Sequence, residues 1–182
     1  MYQNLKTFKM PIALRGKSKF FVQFWWIIQG TLFRLSPQFM YGWRRFLLRL
    51  FGAKIGDNVL IRPTVKILYP WKLIIDDLSW IGDEVTLYNM ANINIGENCV
   101  ISQKSYLCTG SHDHTKTSFD IYAKSIDIKD KVWIASDVFI APGVTIGHGT
   151  IVGFRSTVNK DLPPKMICYG NPAKPIKQRH SQ

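Results

Sequence analysis

Apolar, mostly β-branched residues recur every six positions through the middle of this chain. The longest run is Ile128, Ile134, Ile140, Ile146, Val152 and Val158, in unbroken phase. Four residues after each of the first five stands a small or β-branched residue: Val132, Val138, Val144, Thr150 and Ser156. Shorter runs at the same spacing are Ile55, Ile61, Ile67; Ile81, Leu87, Ile93; and Ile95, Ile101, Leu107. A period of six matches neither a helix at 3.6 residues per turn nor a strand alternating at two. It matches a solenoid in which three short strands close a triangular coil and each lead residue points inward onto the coil below. A β-sandwich would give six in-phase hits only by chance. Glycine often follows the lead residue (Gly56, Gly82, Gly96, Gly147, Gly153), where a turn can use its free backbone. The fold class expected is mainly β, a parallel β-helix.

The phase breaks between Ile67 and Ile81, around Tyr69-Pro70-Trp71, and more widely between Leu107 and Ile128. The second break predicts a loop over 108–126, and loops on rigid scaffolds are where chemistry usually sits. Ahead of the repeat, residues 20–35 read as one apolar helix. Ser36-Pro37 reads as the N-cap and first position of a second, carrying Phe39, Trp43, Phe46, Leu47 and Leu50 at helical spacing and stopping at Gly52. These helices can cap the open end of the solenoid or lie as a basic amphipathic patch on a membrane. The organisation expected is a helical segment over 1–53, the β-helix over 54–162 and a basic tail over 163–182.

Composition narrows the class. With 46% hydrophobic residues the chain can bury a core, which excludes disorder. The most apolar stretch, 20–33, is shorter than the roughly 20 residues of a spanning helix. No signal peptide is expected, and three cysteines without a CxxC pair argue against a disulfide framework, so a cytoplasmic home is expected. The net charge of +12 sits at the two ends. Residues 1–53 hold Lys6, Lys9, Arg15, Lys17, Lys19, Arg34, Arg44, Arg45 and Arg49 and no acidic residue. No nucleic-acid recognition motif accompanies them; contact with phosphates or an anionic surface is the remaining reading.

The repeat, the histidine-bearing loop and the ending Val158-Asn-Lys-Asp-Leu-Pro-Pro164 with Gly170-Asn-Pro-Ala-Lys174 resemble the hexapeptide-repeat acyltransferases. Trp43-Arg-Arg-Phe-Leu-Leu-Arg-Leu-Phe-Gly-Ala-Lys-Ile-Gly56, Tyr69-Pro-Trp71, Ile101-Ser-Gln103 and Leu107-Cys-Thr-Gly-Ser-His-Asp113 narrow the resemblance to the colanic acid biosynthesis acetyltransferases. The resemblance implies a left-handed β-helix, a homotrimer with active sites between subunits, acetyl-CoA as donor, no metal, and a sugar or lipid-linked oligosaccharide acceptor of exopolysaccharide synthesis. A lipid-linked acceptor would place the enzyme at the inner face of the cytoplasmic membrane.

Acetyl transfer to a hydroxyl needs a base and an oxyanion donor, and histidine titrates in the useful range. His112 stands where the Leu107 hexad gives way to the loop and matches the family's catalytic histidine; His114 can assist it or face solvent. The resemblance assigns the oxyanion contact to the Ser136 N–H. It lines a coenzyme groove with Trp133, Ser136, Gly153, Phe154, Asn159 and Lys160, with Lys174 and Lys177 near the phosphates. Asn159 and Phe154 depart from the threonine and small residue common at those places. Tyr88, Asn89 and Met90, before the slip from Ile93 to Ile95, are the acceptor-side candidates, without the acidic residue some sugar acetyltransferases carry. Three other functions fit less of this pattern. A small-molecule or antibiotic acetyltransferase shares scaffold and donor, a γ-type carbonic anhydrase needs three histidines around zinc, and a non-catalytic interaction solenoid would bind no acetyl-CoA.

Overall fold

The computed structural model describes residues 2–9 and 11–180, the side chain of Ile12 aside; the last two residues of the basic tail lie outside the described residues. Its centre is a three-faced parallel β-helix whose strands stack five deep on face A, seven on face B and five on face C. The hexad leads become three vertical stacks. On face A these are Ile55, Ile75, Ile95, Ile128 and Ile146. On face B they are Ile61, Ile81, Ile101, Ile134, Val152 and Cys168. On face C they are Ile67, Leu87, Leu107, Ile140 and Val158. All are buried in one core. Each such side chain is worth about 1.5–3 kcal/mol on burial, which is why the spacing is kept so strictly.

Two expectations about the coil need correction. The break between Ile67 and Ile81 is mostly not a break: Leu73–Ile75 forms the face A strand of the second coil, and only the turn Pro70–Lys72 departs. The strand buries both Leu73 and Ile75, as Ile93–Ile95 buries both its ends, so the apparent slip at Ile93 is a three-residue strand with two inward side chains. The glycines after the lead residues do not serve a left-handed turn. That conformation falls on Asn58, Asn98, Lys131, Asp137 and Arg155, with φ of 54–59°. Gly82 is needed for space: a Cβ there would stand 2.8 Å from the Gln103 nitrogen of the next coil.

The N-terminal helices cap the first coil, the capping alternative above. Helix α1 (Lys19–Ile28) is N-capped by Ser18, whose Oγ accepts from the Phe21 N–H, and runs into a wider turn over Gln29–Phe33. Helix α2 (Tyr41–Leu50) begins four residues later than expected. Ser36 is not its cap; its hydroxyl donates to Phe33 O and accepts from Arg44, around which residues 36–38 wrap. In the first coil the lead residues turn their carbonyls toward the open end, where no strand pairs with them. Arg49 donates to Ile55 O, Arg45 to Val59 O, Arg44 to Ile61 O and the Trp25 indole to Ile67 O, while Gln29 accepts from the Ile67 N–H. Three arginines assigned to an outer basic patch are thus spent on the coil, and Arg44 is fully buried. At the far end, Met166–Gly170 pairs with the Ile151–Val152 strand and folds back as an antiparallel hairpin with Ala173–Gln178.

Candidate active site

The coil is left at the corner between faces C and A, after Tyr106–Cys108 and before Ile126–Ile128. Thr109 pins the departure: buried, its hydroxyl donates to Tyr88 O and accepts from the Ala91 N–H. Strands Gly110–His112 and Ile121–Ala123 then pair as an antiparallel hairpin standing off the coil. Gly110 allows the close approach here, since a Cβ would lie 2.6 Å from Met90 Sδ and 3.4 Å from the Tyr88 ring.

His112 sits on this hairpin, half-buried, between two aromatic rings. Phe119 stacks on it at 4.2 Å with planes 7° apart, and Phe8 lies 5.8 Å away. Its Nδ1 is 2.8 Å from Phe119 O. A carbonyl oxygen only accepts, so in the neutral ring Nδ1 carries the proton and Nε2 keeps a lone pair. Asp113 does not orient the ring; its carboxylate accepts from the Thr115 hydroxyl and N–H, which hold its pKa below the usual range. The Ser118 hydroxyl and Lys116 do the same for Asp120. His112, the exposed His114, Lys116 and Lys124 line an open cavity of about 730 Å³. The N-terminal segment closes one side: Pro11 lines the cavity and the Asn4 N–H donates to Thr117 O.

Tyr88, expected on the acceptor side, lines a second cavity of about 410 Å³ with Met90, Tyr69, Arg15, Lys19 and Trp26, apart from the cavity of His112. Asn89 does not face either cavity. It is fully buried, with its amide accepting from the Tyr69 N–H and donating to Tyr69 O, so the substrate contact expected of it is replaced by a bridge between coils.

The coenzyme candidates fall on different edges. Ser136, Gly153 and Phe154 lie at the corner between faces B and C, and Trp133 is half-exposed on face B with its indole donating to Ser102. Gly153 and Phe154 line a groove of about 430 Å³ with Arg155, Tyr169, Gly170 and Asn171. Lys174 pairs with Tyr169 and Lys177 with Ile167, on the same face. Asn159 and Lys160 stand at the other edge of face C, on the same corner as the His112 loop. The sequence reading missed Phe119, the N-terminal residues Asn4, Phe8 and Pro11, and Tyr169. An aromatic within the histidine loop was a usable signal for the first; nothing in the local pattern marked the second.

A triangular β-helix of hexads, a loop histidine with a fixed tautomer and a glycine-aromatic groove define an acyltransferase of the hexapeptide-repeat class. No protein-family model matches the chain. It is 58% identical over 177 residues, 97% of each chain, to an Escherichia coli protein named "Putative colanic acid biosynthesis acetyltransferase WcaF". Among solved structures, a galactoside acetyltransferase in complex with coenzyme A superposes with a TM-score of 0.82 at 26% identity, covering 94% of this chain and 85% of that one. A maltose O-acetyltransferase from Clostridium difficile superposes at 0.81 with 25% identity and 90% of each chain. The chain belongs to the colanic acid biosynthesis acetyltransferase family of hexapeptide-repeat enzymes, and its coil is their left-handed parallel β-helix.

Proposed function

We propose that the chain transfers an acetyl group from acetyl-CoA to a sugar hydroxyl, with His112 as general base, in synthesis of an exopolysaccharide of the colanic acid type. The observation that carries this is the His112 geometry: Phe119 O fixes the proton on Nδ1, leaving Nε2 basic beside an open cavity. In the reaction, Nε2 takes the acceptor proton while the hydroxyl oxygen bonds to the thioester carbon. The C–S bond then breaks, and the imidazolium returns its proton to the leaving thiolate. The Ser136 N–H is the proposed partner of the carbonyl oxygen.

The coenzyme fits the groove at Gly153. A Cβ there would stand 2.9 Å from Tyr169 Cβ, so glycine keeps the wall open, and Phe154 and Tyr169 offer aromatic faces to a base. Lys174 and Lys177 suit its phosphates as point charges. His112 and Ser136 lie on opposite edges of face C, which supports a homotrimer in which one chain's histidine edge meets the next chain's groove edge. Lys160 and Asn159, on the histidine edge, then reach the coenzyme from the other side.

The test is complementation. His112→Ala and Gly153→Trp chains, each inactive alone in releasing thiol from acetyl-CoA with a sugar-acceptor panel, regain turnover when unfolded and refolded together. Full activity of the Gly153→Trp protein, or no recovery on mixing two variants that bind each other, overturns the shared site. Turnover with small-molecule acceptors and none with any sugar overturns the sugar reading.

A further inference from the structure

We propose that the outer face of the N-terminal cap docks on the headgroup region of an anionic phospholipid bilayer. Helix α1 is two-sided. Val22 and Trp25 are buried against the coil, whereas Phe20, Phe24 and Ile27, at i, i+4 and i+7, are 88%, 54% and 56% exposed. Helix α2 and its approach present a second stripe, Phe39, Phe46 and Leu50, each more than half exposed. The Trp43 indole donates to Leu32 O, joining α2 to the turn after α1, and the Phe24 ring lies 5.5 Å from Phe51, which follows Leu50 at the end of α2. Aromatic and aliphatic side chains of this size left in water across one surface mark an interaction site.

Charge selects the occupant. Lys17, Lys19 and Arg34 face solvent on this segment without an ion-pair partner among the described residues, Arg49 beside Leu50 is half-exposed and pairs with the exposed Asp57, and the chain places none of its acidic residues in 1–53. A second copy would bring the same cations against each other. A protein partner of mixed charge finds few anions for its own cations, Asp57 being already paired with Arg49. A bilayer carrying anionic headgroups satisfies both the aromatic stripe and the excess of cations beside it. At ten residues α1 is too short to span, and no helix among the described residues is long and apolar enough to cross a membrane, so the mode is lying in the interface. Docking rests on this surface alone; its value for a lipid-linked acceptor rests on the acetyl-transfer reading. The side of α1 carrying Lys19, Gln23 and Trp26 lines the Tyr88 cavity, whose Met90 abuts Gly110, two residues from His112.

The experiment is sedimentation of the full chain with vesicles of phosphatidylcholine alone or mixed with phosphatidylglycerol, with thermal unfolding and size measured in parallel. The wild type is expected to bind the mixed vesicles and lose binding in high salt. Lys17→Gln/Lys19→Gln should weaken it by roughly 25-fold, at about fivefold per cation near an anionic surface. Phe20→Ser/Phe24→Ser/Ile27→Ser should abolish it with the melting profile kept. Should that variant fail to fold, the lysine pair decides alone. No binding to mixed vesicles, equal binding by the variants, or a size change on the apolar substitutions without lipid binding (a contact between copies) would each overturn the proposal.

Discussion

The buried Arg44 gives the sharpest test of why the N-terminal helices exist. Its guanidinium donates to Ile61 O at 2.6 Å, Ser36 Oγ at 2.8 Å, Pro37 O at 2.9 Å and Gln38 O at 2.6 Å, with no exposed surface. Arg44→Met keeps the length and removes all four donors. The buried Ile61 carbonyl left without a partner costs about 1–3 kcal/mol, and the part-buried Ser36, Pro37 and Gln38 acceptors add a smaller cost each. Part of this is returned, because burial disfavours the charge, as the lowered pKa of Arg44 records. The net expectation is a loss of about 3–4 kcal/mol, or roughly 10 °C in Tm for a chain of this size. Arg49→Met is the control. Arg49 also donates to Ile55 O, but its side chain is 46% exposed and water can replace it, so the expected loss is under about 1 kcal/mol. The assay is thermal unfolding by circular dichroism at matched concentration. If both variants melt together, capping of the coil's open carbonyls is not what Arg44 does.

Other outcomes follow from the same geometry. Burial pushes the Cys99 thiol up to about 11 and raises Cys108 and Cys168, so iodoacetamide at neutral pH should label the native chain slowly and the urea-unfolded chain at all three; rapid native labelling contradicts the burial. Asp113 and Asp120 titrate below their unfolded values, so the order they lend the His112 loop is present above the ordinary carboxylate range and lost as pH falls through their lowered values. Hydrogen exchange over 113–120 should accelerate on that acidification, and Asp113→Asn should show the same acceleration at neutral pH; unchanged exchange refutes it. Gly153→Ala should weaken acetyl-CoA binding several-fold through displacement of Tyr169, read by calorimetry, with little change in Tm; unaltered affinity removes the groove from the donor site.

The hexad leads were legible because inward stacking is a one-dimensional rule: Ile128 to Val158 map directly onto three faces. Leu73–Ile75 hid within an apparent break because a turn of irregular length precedes it. The glycines show how one residue type answers two demands. Sequence alone cannot separate a left-handed turn from a near-contact with the next coil, and here Gly82 serves the second. The arginines of α2 looked like a surface patch because helical periodicity says nothing about a guanidinium reaching a carbonyl 17 positions away, as Arg44 does to Ile61. At the site, the position of His112 in the loop was readable. Of its two ring neighbours, Phe119 left a signal in the loop itself, whereas Phe8 did not, because it arrives from a segment with no periodic pattern. Asn89 read as an acceptor-side residue facing the pocket, yet its amide is consumed by Tyr69.

Donor binding and turnover measured on the same preparations, for wild type and His112→Ala, bear most directly on the central claim. Calorimetry with acetyl-CoA should give comparable affinities for the two, while thiol release with an accepted sugar should fall by roughly 10²–10⁴-fold in the variant. A variant that turns over within a few-fold of wild type, or a wild type that binds no acetyl-CoA, would contradict the account.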